Sequence, residues 1–222
     1  MTGSTSTRSS QIHARLRADI LSGRYAPGDA LPSERTLSEE LEASRHGVRE
    51  ALKRLQQAGL VSITQGGATK VRDWRRHGGL ELLLDGEVPN ELEAPRAAME
   101  MRACIGADAA RRAAERASSA LKAQIAARAE QLSALEDLDA RNAHYEVLWD
   151  LIVDGADNVA YRLALTTLVE RQRIASIKAE AVARELRDPA VIRALAAAIA
   201  DGDAPGARGL AAELLERSID GG

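Results

Sequence analysis

Residues 20–71 read ILSGRYAPGDALPSERTLSEELEASRHGVREALKRLQQAGLVSITQGGATKV, and the punctuation of this stretch decides the fold of the first third of the chain. Pro27-Gly28 and Pro32 mark turns, and Ser33 after Pro32 is a helix N-cap, so a helix is expected from there to about Leu41. Ser44 can cap a further helix in which Val48, Ala51, Leu52 and Leu55 fall at i, i+3, i+4 and i+7, with Gly59 as its end. Upstream, Ser9 or Ser10 opens a helix whose Ile12, Leu16 and Ile20 share one face, and Gly23 stops it. Downstream, LVSITQGGATKVR (60–72) holds two β-forming runs about Gln65-Gly66-Gly67, the pattern of a hairpin with a glycine-dependent turn. Three helices followed by a hairpin make a winged helix-turn-helix.

The third helix carries the chemistry. Its apolar face is committed to the core, which leaves Arg45, His46 and Arg49 polar at its N-terminal end. An arginine can donate two parallel bonds to guanine O6 and N7, and the N–H groups and partial positive charge of a helix N-terminus suit phosphate. Arg35, at the start of the second helix, is placed to reach across the edge of a groove. An ordinary solvated face beside Glu42 and Glu50 is the alternative reading of Arg45 and Arg49. The order of the elements favours the DNA reading.

Charge divides the chain of 222 residues in two: residues 1–77 carry a balance of +5, so the remainder carries -8 within a net -3. Such asymmetry points to a module for a polyanion joined to one with another task. Cys104 is the one cysteine and cannot form an internal disulfide, and no apolar run reaches the ~18 residues of a membrane span. The polar start MTGSTSTRSS lacks the form of a signal peptide, and the expected compartment is the cytoplasm. With no phenylalanine, the core must be built from Ala, Leu, Ile and Val, which suits close-packed helices and excludes an all-β fold.

From Pro89 onward helical segments follow one another, at about 91–116, 119–137, 140–154, 158–185, 189–201 and 204–218. Each break holds a cap or breaker, such as Ser118-Ser119, Asp154-Gly155, Asp188-Pro189 or Gly202-Asp203. The fold class is therefore mainly α. The expected layout is a winged helix-turn-helix with a small hairpin wing over 1–73, a linker with a short helix over 74–90, and an all-α effector and dimerisation bundle over 91–222. Periodicity alone says of that bundle only that its apolar stripes form a core.

The stretch from residue 20 to 71 resembles the DNA-binding domain of the GntR superfamily of bacterial transcriptional regulators. The PGxxLPSER turn (27–35), the R-x-x-x-R-E-A-L helix (45–52) and the glycine wing occur together and in order. The resemblance implies a homodimer on a palindromic double-stranded operator, with Arg35, Ser44, Arg45, His46, Gly47 and Arg49 at the DNA. It also implies that Gln65 and Gly66 of the wing enter the minor groove beside Lys70. His46 and Gly47 stand where small hydroxyl residues are more usual in the family.

MEMRACIGADAARRAAERA, YEVLWDLIVDGADN and AAAIADGDAPGARGLAAELLE resemble the helical effector domain of the FadR-type branch. Most members of that domain family hold a divalent metal through an aspartate and histidines. Aligned on Asp157-Asn158, the four ligand places here fall on Tyr145, Trp149, Ile192 and Leu214, and His144 stands beside them without a histidine partner. No metal is therefore expected. Apolar substitutes at that centre resemble the fatty-acid-responsive FadR regulators, which bind long-chain acyl-CoA. By that resemblance Arg102 meets a phosphate or carbonyl of the effector, Tyr145, Trp149 and Tyr161 line the pocket, and Ser218 lies near the thioester. Core packing is the alternative for Trp149 and Tyr161. A regulator answering to a different organic acid, or one that only dimerises, stays open, whereas the second half is too short for a fused aminotransferase and shows no catalytic cluster.

Overall fold

The computed structural model describes residues 8–64, 67–84, 93–172 and 182–219. The chain divides into two compact units, 1–91 and 92–222.

In the first unit α1 (Arg8–Leu21), α2 (Glu34–Glu40) and α3 (Arg45–Gln57) precede β1 (Val61–Ser62) and β2 (Lys70–Val71). The expected caps are formed: the Ser33 hydroxyl accepts from Thr36 N and the Ser44 hydroxyl from Gly47 N, each at 3.1 Å. Ile12, Leu16 and Ile20 of α1 meet Val48, Ala51, Leu52 and Leu55 of α3 in one core, all of them buried. The strands are short and antiparallel, with Val61 opposite Val71 and Ser62 opposite Lys70. A third strip of backbone joins them, because Ala30 bridges to Lys70, and Leu31 N donates to Thr69 O at 2.8 Å. That strip comes from the Pro27 turn and was not apparent in the sequence.

Between α2 and α3 the turn passes through Glu42 at φ 48°, a conformation that strains a side-chain-bearing residue. The Arg8 guanidinium steadies it by donating to Leu41 O and Glu42 O at 3.1 and 2.8 Å. The stretch read as a linker is in part built into this unit: α4 (Trp74–His77) and α5 (Glu81–Leu84) are helical, and Leu82 is buried in the same core as Leu55 and Leu60. Gly59 is what permits this. It sits at φ +73°, and a Cβ there would come within 1.9 Å of His77 O, so only glycine lets the chain beyond α3 approach α4.

Among the described residues the second unit holds α6 (Glu93–Arg116), α7 (Ser119–Ser133), α8 (Leu138–Gly155), α9 (Val159–Gln172), α10 (Pro189–Asp201) and α11 (Ala204–Glu216), and residues 182–185 are also helical. Ser118, Asp137, Asp188 and Asp203 cap α7, α8, α10 and α11 through their side chains. Asp137 therefore caps the start of α8, where the sequence reading makes it the end of the preceding helical segment, which stops at Ser133. Residues 173–181 of the expected long helix lie outside the described residues. The core is small-residue packing: Ala107, Ala110, Ala113 and Ala114 of α6 face Ala207, Ala211 and Leu214 of α11, which lets the backbones approach closely. Tyr145 is the largest side chain buried in it. Among the described residues no helix is long and apolar enough to cross a membrane.

Candidate nucleic-acid interface and effector site

The Ser44 cap and the buried stripe of α3 fix which side of the helix is free. Arg45, His46 and Arg49 are exposed there, and Gly47, whose Cβ would meet only Ser44 Oγ at 3.4 Å and Ile12 Cδ1 at 3.8 Å, keeps the helix end bare. The exposed arginines differ in what they touch. Arg49 makes a two-pronged pair with Glu34 at the start of α2, Nη2 to Oε2 at 2.7 Å and Nε to Oε1 at 3.1 Å. This hydrogen bonding, with the Arg49 and Arg45 charges, holds the Glu34 carboxyl below its ordinary pKa. Arg35 pairs with Glu39 at 2.8 Å, and His46 Nε2 lies 3.6 Å from Glu50. Arg45 makes no ion pair among the described residues. Such exposed pairs contribute only ~0–1 kcal/mol each, so exchanging a carboxylate partner for phosphate or guanine costs little.

On the wing, Lys70 is exposed, whereas Arg72 is half-buried and bonds His77 Nδ1 at 2.8 Å. Gln65 and Gly66 lie outside the described residues. Glu34 is the partner of Arg49 that sequence reading missed: it stands fifteen residues away, beyond any helical or strand spacing.

In the second unit the proposed effector residues separate into two groups. Arg102 of α6 and Tyr145 of α8 meet on a residue not foreseen, Glu185, one of the helical residues 182–185. Arg102 Nη1 and Nη2 donate to Glu185 Oε1 and Oε2 at 2.6 and 3.0 Å, and the Tyr145 hydroxyl donates to Oε2 at 2.6 Å. Glu185 is fully buried. Burial and the Glu185 charge push the Tyr145 hydroxyl well above its ordinary pKa, so it stays protonated and donates. Burial opposes the Arg102 charge, but Glu185 more than compensates and its pKa rises. Trp149, one turn beyond Tyr145, packs edge-on against it with ring centroids 6.2 Å apart.

Tyr161 goes elsewhere. Its hydroxyl donates to Asp108 Oδ2 at 2.8 Å, and the Arg112 guanidinium stacks over its ring at 5.6 Å. Arg111 and Arg112 also bond Asp108, and hydrogen bonding from Arg111 leads in driving its pKa far down. Ser218 is buried and donates to Leu215 O at 2.6 Å, a helix-end contact.

The metal places of the related domain do not fit a cation here. Ile192 and Leu214 are buried apolar residues, Tyr145 donates rather than ligates, and Trp149 has no lone pair to offer. Among the described residues no cluster of three or more His, Cys, Asp or Glu could hold a metal. His144 instead bonds Arg128 Nη1 at 3.1 Å.

Residues 8–71 match the family described as bacterial regulatory proteins, gntR family. The chain is 38% identical over 213 residues to the HTH-type transcriptional regulator Mce2R of Mycobacterium tuberculosis, covering 93% of this chain and 88% of that protein. A shorter match, 42% over 64 residues and 23% of that protein, links it to the fatty acid metabolism regulator protein of Vibrio cholerae. Among solved structures, the Streptococcus agalactiae GntR protein aligns over 96% of this chain and all of its own at a TM-score of 0.50 with 17% identity, a likeness of fold. The capped recognition helix, the wing and the match along nearly the whole chain agree: the chain belongs to the GntR family of bacterial transcriptional regulators.

Proposed function

We propose that the protein binds a short palindromic operator as a two-fold homodimer in the cytoplasm, and that a long-chain acyl-CoA taken up by the helical unit weakens that binding. In this reading Arg45 and Arg49 contact base edges, while Arg35 and Lys70 hold phosphates. The chain acts as a regulator, and no enzymatic step is part of the proposal. The observation that carries the effector class is the identity of the four former ligand places, Tyr145, Trp149, Ile192 and Leu214, of which Tyr145, Ile192 and Leu214 belong to one apolar cluster with Trp149 packed against it. An interior of that kind suits an alkyl chain and excludes the metal-assisted capture of a small acid. The partial match to the Vibrio fatty acid metabolism regulator supports placement in the FadR-type branch.

A second reading is favoured by a specific observation: Tyr145, Ile192 and Leu214 are at most 2% exposed, and Arg102 is already paired. A core so filled also fits a helical unit that only dimerises. Mass spectrometry of the gently purified native protein separates the readings. A dimer carrying an acyl thioester supports the first, a dimer of bare mass the second, and a dimer with another bound acid redirects the effector class.

A further inference from the structure

The turn between α2 and α3 is held by a side chain from outside it. At the C-terminal end of α2 the carbonyls of Ser38 and Glu39 accept from Ala43 N and Glu42 N, whereas those of Leu41 and Glu42 accept from Arg8 Nη2 at 3.1 and 2.8 Å. One amino group thus spans two successive carbonyls, at a helix end that favours a cation as well as a donor. The same turn contains a conformation ill suited to its residue. Glu42 stands at φ 48°, a left-handed position that glycine takes without strain and glutamate does not. Arg8 also has a fixed footing. Ile12, one turn further along α1 on the same face, is buried, and its Cδ1 lies 3.8 Å from where a Gly47 Cβ would stand in the first turn of α3. One face of α1 therefore touches both the turn and the start of the recognition helix.

The aim of that helix depends on this turn. Ser44, the cap of α3, and Arg45 follow Glu42 almost at once, and the Arg49–Glu34 pair at 2.7 Å closes only while α2 and α3 keep their angle. We propose that Arg8 is a positioning residue for sequence-specific DNA recognition: by clamping the Leu41 and Glu42 carbonyls it holds the left-handed turn, and through the turn the direction of Arg45 and Arg49. Glutamate at position 42 makes the chain depend on the clamp, because its own backbone preference opposes the conformation. Arg8 thereby serves the discrimination between sequences and not the general attraction for phosphate. The inference rests on the reading of Arg45 and Arg49 as the residues that meet base edges.

A duplex selected from a random library by the full-length protein serves as operator, and its scrambled sequence as the reference. Arg8→Ala is expected to lower the ratio of operator to scrambled affinity about tenfold, the scale of a left-handed residue left without support. The slope of log affinity against log salt should stay within about half a unit of the parent's, since no phosphate contact is lost. With Glu42→Gly the turn needs no clamp, and adding Arg8→Ala should change the ratio by less than about threefold. With Glu42→Gln, which removes the charge and keeps the Cβ, the loss on Arg8→Ala should remain about tenfold. Thermal melts check that each protein is folded, and Arg8→Met, which keeps the stem without the donors, serves if Arg8→Ala does not fold. An equal loss on both duplexes with a slope lowered by about one unit makes Arg8 a phosphate contact and overturns the proposal. So does an unchanged ratio, or a loss that Glu42→Gly does not relieve. Arg45→Ala and Arg49→Ala, titrated alongside, keep the two claims apart. If either lowers the ratio while Arg8→Ala does not, the positioning role alone fails; if none of the three lowers it, the base-reading assignment fails with it.

Discussion

The Arg49 guanidinium and the Glu34 carboxylate face each other across the two helices of the helix-turn-helix, joined at 2.7 and 3.1 Å. One carboxylate thereby presets the direction of the arginine best placed to read a base, while both side chains remain exposed enough to exchange partners at little cost. Replacing Arg45 or Arg49 with alanine is expected to cost ~1–3 kcal/mol of operator affinity and to relax preference at one base position. Glu34→Gln acts differently: loss of a negative charge strengthens binding to any duplex, while a less directed Arg49 discriminates less. Competition titration with operator and scrambled duplex should show a reduced specificity ratio. A ratio unchanged in all three variants would mean that neither arginine reads bases.

Lys70 stands exposed on β2, so its loss is expected to weaken every sequence alike and to lower the slope of log affinity against log salt by about one unit. Arg72 is held by His77 and should contribute less to that slope. A sequence-selective loss on Lys70→Ala would place that side chain at a base instead.

Chelation is expected to leave both the melting temperature and operator binding unchanged, because Tyr145, Trp149, Ile192 and Leu214 offer no ligand set whose ion could be removed. Stoichiometric zinc or nickel in untagged protein, measured by elemental analysis, would contradict this.

What the sequence made legible was local. The caps at Ser33 and Ser44 and the buried stripe Val48, Ala51, Leu52 and Leu55 follow from spacing within one helix, and each is present in the structure. The bridge of Ala30 to Lys70, the Glu34–Arg49 pair and the convergence of Arg102 with Glu185 join residues 15 to 83 positions apart or come from a turn whose partner strand is two residues long. No periodicity encodes such pairings. Tyr161 shows the converse: the resemblance groups it with Tyr145 and Trp149, whereas helix packing directs its hydroxyl to Asp108.

His13 supplies a pH dependence with a definite sign. Burial first, then the charges of Arg54 and Arg17, lower its pKa below the ordinary 6.5, so the folded first unit favours the neutral ring. Its contribution to stability is complete above the unfolded value and is lost as pH falls through the folded one. Following Trp74 emission in a Trp149→Phe background, the melting temperature of the first unit should fall more between about pH 7.5 and about pH 5.5 in the parent than in His13→Gln. An identical fall in both would show that His13 takes no part.

The central claim is that a fatty-acyl ligand in the helical unit controls DNA binding, and operator titration of the full-length dimer with saturating oleoyl-CoA or free coenzyme A tests it most directly. A coupling of ~1–3 kcal/mol predicts a loss of operator affinity of about 5 to 150-fold with oleoyl-CoA. Coenzyme A should do far less, since each buried CH₂ contributes ~0.8 kcal/mol. Operator affinity that is the same with oleoyl-CoA, with coenzyme A and with neither would contradict the claim.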